Sequence, residues 1–262
     1  MQLPYSVRVL GHRALGRIPV RVRSGINRGV RWSIVALGRG YGSGSFGRDR
    51  LAALAAVTRL GDTVWDVGAH KGFVTLAASR LVGPSGHVVA LEPAAANLRF
   101  LRRHVAWNAA ANVTVVPAAL GASQGEAAFG GSGSSIAFRL GEGPETVRVT
   151  TLEALVTDRG LRPPGVLKID VEGAEAAVLR GMGPLLGGDQ ALLISTHGRQ
   201  PYAECRALLE ERAFTIFDSW EIARRLETGE PWASDHDLLA LGPGRPVDEA
   251  ALRRLSLIAG RA

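Results

Sequence analysis

The stretch from Thr63 to Leu81 constrains this chain more than any other. Thr63-Val64-Trp65-Asp66-Val67 has the composition of a buried strand, Gly68-Ala69-His70-Lys71-Gly72 is a turn punctuated by glycine, and Phe73 to Leu81 reads as a helix. The same order then recurs. His87 to Leu91 reads as a strand before a helix from Ala94 to Asn108, whose Leu98, Leu101 and Val105 keep helical spacing, and Val113 to Pro117 as the next strand. A helix is expected over Thr150 to Asp158. The Pro163-Pro164-Gly165 break precedes a strand at Val166 to Asp170, a helix at Ala174 to Leu186 and a strand at Ala191 to Ser195. Glu204 to Arg212 should be helical, with Phe214 to Phe217 and Asp237 to Leu241 as the last two strands. Such repetition predicts an α/β, Rossmann-like fold: a mostly parallel seven-stranded sheet with helices on both faces.

Ligands on such sheets bind beyond the carboxyl ends of the strands, where strand order reverses. Asp66, Glu92, Asp170 and His197 all fall at or just past predicted carboxyl ends, so one cleft can hold all four. Gly68 and Gly72 let a ligand approach backbone amides at the start of a helix. Glu92 follows Gly72 by twenty positions, the spacing of a carboxylate that grips ribose hydroxyls. The turn is G-x-x-x-G and lacks the paired glycines of G-x-G-x-x-G, which counts against an NAD-binding oxidoreductase. A nucleoside with a small charged tail fits better, and S-adenosyl-L-methionine is the candidate.

The chain has 262 residues, 46% hydrophobic and 21% charged, enough for one sizeable core. Three parts are expected: a basic N-terminal extension over 1–60 (helix, hairpin, Gly-rich loop, helix), a core domain over 61–243 with a Gly/Ser-rich insertion at 121–143, and a C-terminal helix within 244–262. In the extension, Ser6 to Arg17 is weakly amphipathic, Val20 to Arg23 and Val30 to Ile34 alternate as a hairpin, and Leu51 to Leu60 reads as a helix stopped by Gly61. Net charge is +7, yet residues 1–48 hold nine arginines and no Asp or Glu. The basic character belongs to this arm. Only Lys71 and Lys168 are lysine, and both sit inside motifs. The lone Cys205 excludes an intramolecular disulfide and a multi-cysteine metal site, in keeping with a reducing, cytoplasmic setting. No apolar stretch approaches the roughly 18 to 20 residues of a membrane span, which implies a soluble protein.

Asp66-Val67-Gly68-Ala69-His70-Lys71-Gly72, Glu92-Pro93 with Asn97, Leu101 and Asn108, Thr151-Leu152-Glu153-Ala154-Leu155, and Lys168-Ile169-Asp170-Val171-Glu172-Gly173-Ala174-Glu175 follow one another in order. Together they resemble the motifs of the FkbM-type methyltransferases, a branch of the S-adenosylmethionine-dependent enzymes with the class I Rossmann-like fold. One position departs: the family's E-x-H is Ser195-Thr196-His197 here, with serine in place of glutamate.

The resemblance implies roles. Asp66 would accept hydrogen bonds near the methionine end of the cofactor, and Gly68, Ala69, His70, Lys71 and Gly72 would wrap its carboxylate with backbone amides. Glu92, in the Glu92-Pro93 motif with Asn97, would take the ribose, and Ala119 would lie near adenine. His197 is the candidate general base, a neutral imidazole suited to a hydroxyl acceptor. Asp170 would orient it or act as an alternate base, beside Glu172. Glu175 reads as complementing the positive end of the following helix. Asp170 and Glu172 could also hold a divalent cation, but no dedicated metal motif is present and no metal is assigned. The expected activity is O-methylation of a hydroxyl on a sugar or secondary metabolite, with a catalytically silent binding module as the alternative. The expected partner is a small-molecule or glycan acceptor; nucleic acid is not expected, although the basic arm leaves it open.

Overall fold

The computed structural model describes residues 15–37, 40–130, 139–141, 143–218 and 236–245. Most of the expected helix at Ser6 to Arg17, and all of that expected from Asp248, lie outside these residues. A hairpin opens the described chain, with β1 (Pro19–Arg21) antiparallel to β2 (Arg31–Ser33). Helix α1 (Arg48–Val57), strand β3 (Thr63–Val67), helix α2 (Phe73–Val82), strand β4 (His87–Leu91), helix α3 (Ala95–Trp107) and strand β5 (Val113–Val116) follow. Four short strands come next: β6 (Ala119–Leu120), β7 (Gly125–Gly130), β8 (Arg139–Leu140) and β9 (Glu145–Thr150). Helix α4 (Leu152–Thr157), strand β10 (Val166–Ile169), helix α5 (Glu175–Arg180), strand β11 (Ala191–Thr196), helix α6 (Arg199–Glu210), β12 (Thr215–Asp218) and β13 (His236–Leu241) complete it.

The large sheet has seven strands in the order β12-β13-β11-β10-β3-β4-β5. All neighbours are parallel except β13, which runs against both β11 and β12. The chain leaves β3 toward β4 and β5, then returns to place β10 on the other side of β3. The switch in direction therefore falls between the carboxyl ends of β3 and β10. Gly68 shows how tightly those ends approach. Its φ is +77°, and a Cβ there would lie 2.0 Å from the Asp170 carbonyl oxygen, so only glycine fits.

Alternate strand residues feed two apolar layers, as a sheet covered on both faces requires. Trp65, Val67, Leu167, Ile169, Leu192 and Ile194 pack with α5 and α6 on one face. Val64, Val166, Ala191 and Leu193 pack with α2, α1 and the hairpin residues Val22, Val30 and Trp32 on the other. The extension is thus built into the core. Trp32 is fully buried and stacks on His104 of α3 at 3.8 Å between ring centroids. His104 Nε2 accepts from the Ser33 amide at 3.0 Å, and Nδ1 donates to the Lys71 carbonyl at 2.7 Å, which joins hairpin, α3 and the glycine loop.

Some element bounds differ from the sequence reading. The insertion is a small four-stranded sheet whose antiparallel hairpin, β7 with β9, runs on to Thr150 and so extends beyond 121–143. Thr150 belongs to that strand, not to the helix. The helix begins only at Leu152 because Thr151 Oγ1 accepts from the Ala154 amide at 3.0 Å as its cap. Helix α5 stops at Arg180, and Gly183 (φ +55°) and Pro184 turn the remainder into a 3-10 turn.

Candidate active site

The glycine loop is held from below by two charged side chains. Asp66, next to last in β3, is fully buried. Thr75 Oγ1 donates to its Oδ2 at 2.6 Å, and Lys168 Nζ lies 3.2 Å from its Oδ1. The same ammonium donates to the carbonyls of Val67 (3.2 Å) and Gly68 (2.6 Å). Lysine is expensive to bury unless paired and hydrogen-bonded, and here it meets a carboxylate and two carbonyls. Asp66 therefore lies beneath the loop, fully buried and braced against Lys168.

The loop amides are largely committed. Gly68 and Ala69 donate to the Leu91 carbonyl at 3.1 and 2.9 Å, Gly72 donates to the Ala69 carbonyl at 2.8 Å, and His70 donates to Glu92 Oε2 at 2.8 Å. Four of the five loop amides, those of Gly68, Ala69, His70 and Gly72, thus have acceptors within the protein. The first turn of α2 does remain. Its opening amides have no intrahelical acceptor by the geometry of any helix, and they carry the positive end of the helix dipole. His70 sits at φ +51°, and burial, with help from Lys71 and Lys168, pushes its imidazole down to about 4. It is neutral near pH 7.

Glu92 is 4% exposed. Oε2 accepts from the His70 amide, and Oε1 accepts from the Ala94 amide at 2.9 Å and from Asn97 Nδ2 at 3.3 Å. Asn97 and the Pro93 turn thus aim the carboxylate. Burial raises its pKa while these donors oppose the rise. A carboxylate offers about four acceptor sites, so three donors leave room for one more. Ala94 and Ala119 share a buried apolar cluster with Phe129 and Val147.

Across the switch point, β10, α5 and β11 bring together Asp170, Glu172, Glu175 and His197. His197 has a side chain 4% exposed. Its Nδ1 meets Glu175 Oε1 at 2.7 Å, while Nε2 faces Glu172 Oε2 at 3.4 Å and Asp170 Oδ1 at 3.7 Å. The partner at Nδ1 is therefore Glu175, not Asp170. Glu175 is fully buried, so it does more than complement a helix end. Asp170, Glu172 and His197 each present one atom within 4.8 Å of the others, a spacing that a divalent cation could also use.

Three further residues complete the cluster. Arg50 of α1 donates from Nη1 to Asp170 Oδ2 at 3.1 Å and from Nη2 to Asp237 Oδ1 at 2.9 Å. Asp237 of β13 is paired in register with Ser195, whose hydroxyl donates to it. Tyr41 from the Gly-rich loop has its hydroxyl pushed up to about 12 by burial and by the charge of Asp170, against the influence of Arg50. No local pattern announced Arg50 or Asp237. Arg50 is 120 residues from Asp170 and 187 from Asp237.

The Methyltransferase FkbM domain family matches residues 66–216, which runs from Asp66 through both halves of this site. The chain belongs to the FkbM methyltransferase family. It is an S-adenosyl-L-methionine-dependent methyltransferase with the class I fold. Among solved structures, the methyltransferase FkbM from Methylobacillus flagellatus KT is 19% identical over 68% of this chain and 43% of that one, with a TM-score of 0.49. A putative rRNA-methylase from Clostridium thermocellum is 10% identical over 75% of this chain and 95% of that one, with a TM-score of 0.50. Fibrillarin from Aeropyrum pernix, solved with natively bound S-adenosyl-L-methionine, is 17% identical over 72% and 73%, with a TM-score of 0.47. The likeness to the Clostridium thermocellum structure is one of fold. Among curated proteins, none matches this sequence.

In this FkbM methyltransferase the serine at 195 does not leave the site short of a carboxylate. Asp237 provides one from the neighbouring strand, already engaged by Ser195 and Arg50.

Proposed function

We propose that this enzyme methylates a hydroxyl oxygen on an uncharged small molecule, of the kind found in sugars and secondary metabolites, within the cytoplasm. The observation that carries the reading is His197, held at Nδ1 by a buried glutamate with Nε2 turned toward Asp170 and Glu172. Asp170, Glu172, Glu175 and Asp237 outnumber Arg50 and Lys168 around the site, which disfavours an anionic acceptor.

The residues present fit the methyl donor. Glu92, with an acceptor site to spare, would hold ribose hydroxyls; the Ala94–Ala119 cluster would face the base; the first turn of α2 would meet the carboxylate of the tail. Bound S-adenosylmethionine supplies an electrophilic methyl group on a sulfonium. The protein's share is alignment of the acceptor and removal of its proton. His197 Nε2 takes the hydroxyl proton as the oxygen gains the methyl group, and Glu175 stabilises the resulting imidazolium at Nδ1. Asp170, fixed by Arg50, would position the hydroxyl. The silent-module alternative rested on the missing glutamate at 195, and the carboxylate of Asp237 weakens that support.

Labelled S-adenosylmethionine incubated with a panel of hydroxylated sugars and secondary metabolites tests this reading. The expected result is an O-methyl product, with His197→Ala slowing transfer by about 100-fold or more while calorimetry shows unchanged cofactor affinity. Label appearing only on nitrogen or carbon, or a His197→Ala variant as fast as the unmodified protein, would overturn it.

A further inference from the structure

The Gly-rich loop before α1 carries aromatic rings that neither cofactor binding nor proton removal uses. Phe46 stacks on Tyr41 at 4.0 Å between centroids and 18° between planes, and Tyr41 stacks on Trp32 at 5.6 Å and 9°. Trp32 in turn stacks on His104, so four rings run in series. Phe73, the first residue of α2, meets Phe46, Tyr41 and Trp32 edge-on at 5.8, 5.0 and 5.4 Å. Trp32 and His104 are fully buried, whereas Phe46, at the outer end of the series, is 36% exposed.

The backbone that presents Phe46 is fixed. The amides of Gly44, Ser45 and Phe46 converge on the Gly40 carbonyl at 2.9, 3.0 and 3.1 Å, and the Arg23 amide donates to the Gly42 carbonyl at 3.0 Å. Gly44 (φ +80°) abuts the hairpin so closely that a Cβ there would lie 2.1 Å from the Ser24 carbonyl oxygen. The ring also stands at the crevice. Phe46 lies two residues before α1, which packs on β11, and Arg50 in the first turn of that helix holds Asp170 and Asp237. A ring held ready in this way loses little freedom on binding.

We propose that Phe46 is a specificity-determining residue for the acceptor: the apolar face of a hydroxylated ring stacks on its outer face while the hydroxyls of that ring reach Asp170 and Glu172. This rests on the O-methylation reading above and adds to it the shape of the acceptor. Aromatic side chains supply large apolar contact in a defined geometry, and a few polar groups then fix orientation. The side chains of Asp170 and Glu172 are 23% and 22% exposed, and their oxygens accept from hydroxyl donors. A sugar ring and a phenolic ring both have this chemistry. An open-chain polyol offers the hydroxyls without the flat face.

Saturation-transfer NMR with the full chain and S-adenosylhomocysteine tests it, using methyl β-galactopyranoside, phenol and sorbitol as probes. Ring protons of the galactoside or of phenol are expected to receive saturation, and whichever probe does so names the ring class; sorbitol should receive much less. Phe46→Ala should weaken the ring probe about tenfold, Phe46→Leu should behave like it, and Phe46→Trp should keep the binding of the unmodified protein. All three variants should retain S-adenosylhomocysteine affinity, which separates loss of the platform from loss of the fold. Sorbitol matching the ring probes, leucine serving as well as tryptophan, or no ring binding at all would overturn the proposal. Parallel loss of S-adenosylhomocysteine affinity would also overturn it, assigning Phe46 to the fold. No methyl group moves in this measurement, so it can fail while the labelling experiment succeeds, and the reverse.

Discussion

Ser195 and Asp237 stand directly opposite each other on β11 and β13, and the serine hydroxyl donates to the aspartate at 2.6 Å. A short hydroxyl here leaves space for the carboxylate of the next strand. A glutamate at 195, as in the motif this sequence resembles, would set two carboxylates side by side. Ser195→Glu is therefore expected to cost about 1 kcal/mol, or roughly 2–4 °C in melting temperature. Adding Asp237→Ser should restore most of that loss. A double-mutant cycle by thermal denaturation that shows simple additivity would contradict this.

Glu175 is buried against His197 Nδ1. Replacing it with glutamine keeps the shape and removes the charge that favours the protonated ring. Glu175→Gln should reduce the maximal rate by about tenfold or more. Cofactor affinity, measured by calorimetry, should stay the same, because Glu92 and α2 lie on the other side of the switch point.

Glu92 holds the loop through the His70 amide as well as facing the crevice. Glu92→Ala is expected to weaken S-adenosylmethionine binding by about tenfold or more, since hydrogen bonds to a charged group contribute roughly 1.5–3 kcal/mol. Asn97→Ala, which removes only one donor to that carboxylate, should have a smaller effect in the same titration.

Acid should destabilise the fold through its buried histidines. Burial pushes His104 from 6.5 down to about 4; its hydrogen bond to the Lys71 carbonyl opposes this, and Arg103 and Lys71 reinforce it. The unfolded ring binds a proton near pH 6.5 while the folded ring stays neutral, so stability falls as pH drops from about 6.5 toward about 4. Above that window both states hold the ring neutral, and its ionisation no longer changes stability with pH. The loss is at most about 1.4 kcal/mol per pH unit for one histidine, and His70, also pushed to about 4, acts with the same sign. His104→Gln should melt lower than the unmodified protein near neutral pH, yet lose less on acidification.

Much of the fold was written in local pattern. The strand–turn–helix at Thr63 to Leu81 and its repetitions fall where the sheet has them, because apolar runs, glycines and prolines act on their own neighbours. Asp170 and His197, expected in one cleft, do come together, and Glu92 lies beside the glycine loop. The hidden part was what depends on distance along the chain. Arg50 reaches two carboxylates far ahead of it, Asp237 comes from the antiparallel edge, and Ser33 finds His104 across the hairpin. Glu175 was visible but read only as a helix-end charge; its burial against His197 is a tertiary fact. The committed loop amides were hidden too, since a G-x-x-x-G turn does not disclose which acceptors lie beneath it.

Arg50 lies before the first strand of the large sheet yet clasps Asp170, just past β10, and Asp237 on β13. A truncated version starting near residue 60 would keep every recognisable family motif and still lack this clasp, along with Trp32 and the rest of the layer it belongs to. The minimal catalytic fragment is thus longer than the motifs suggest, and grafting those motifs onto a relative with a different beginning would leave Asp170 and Asp237 to repel each other.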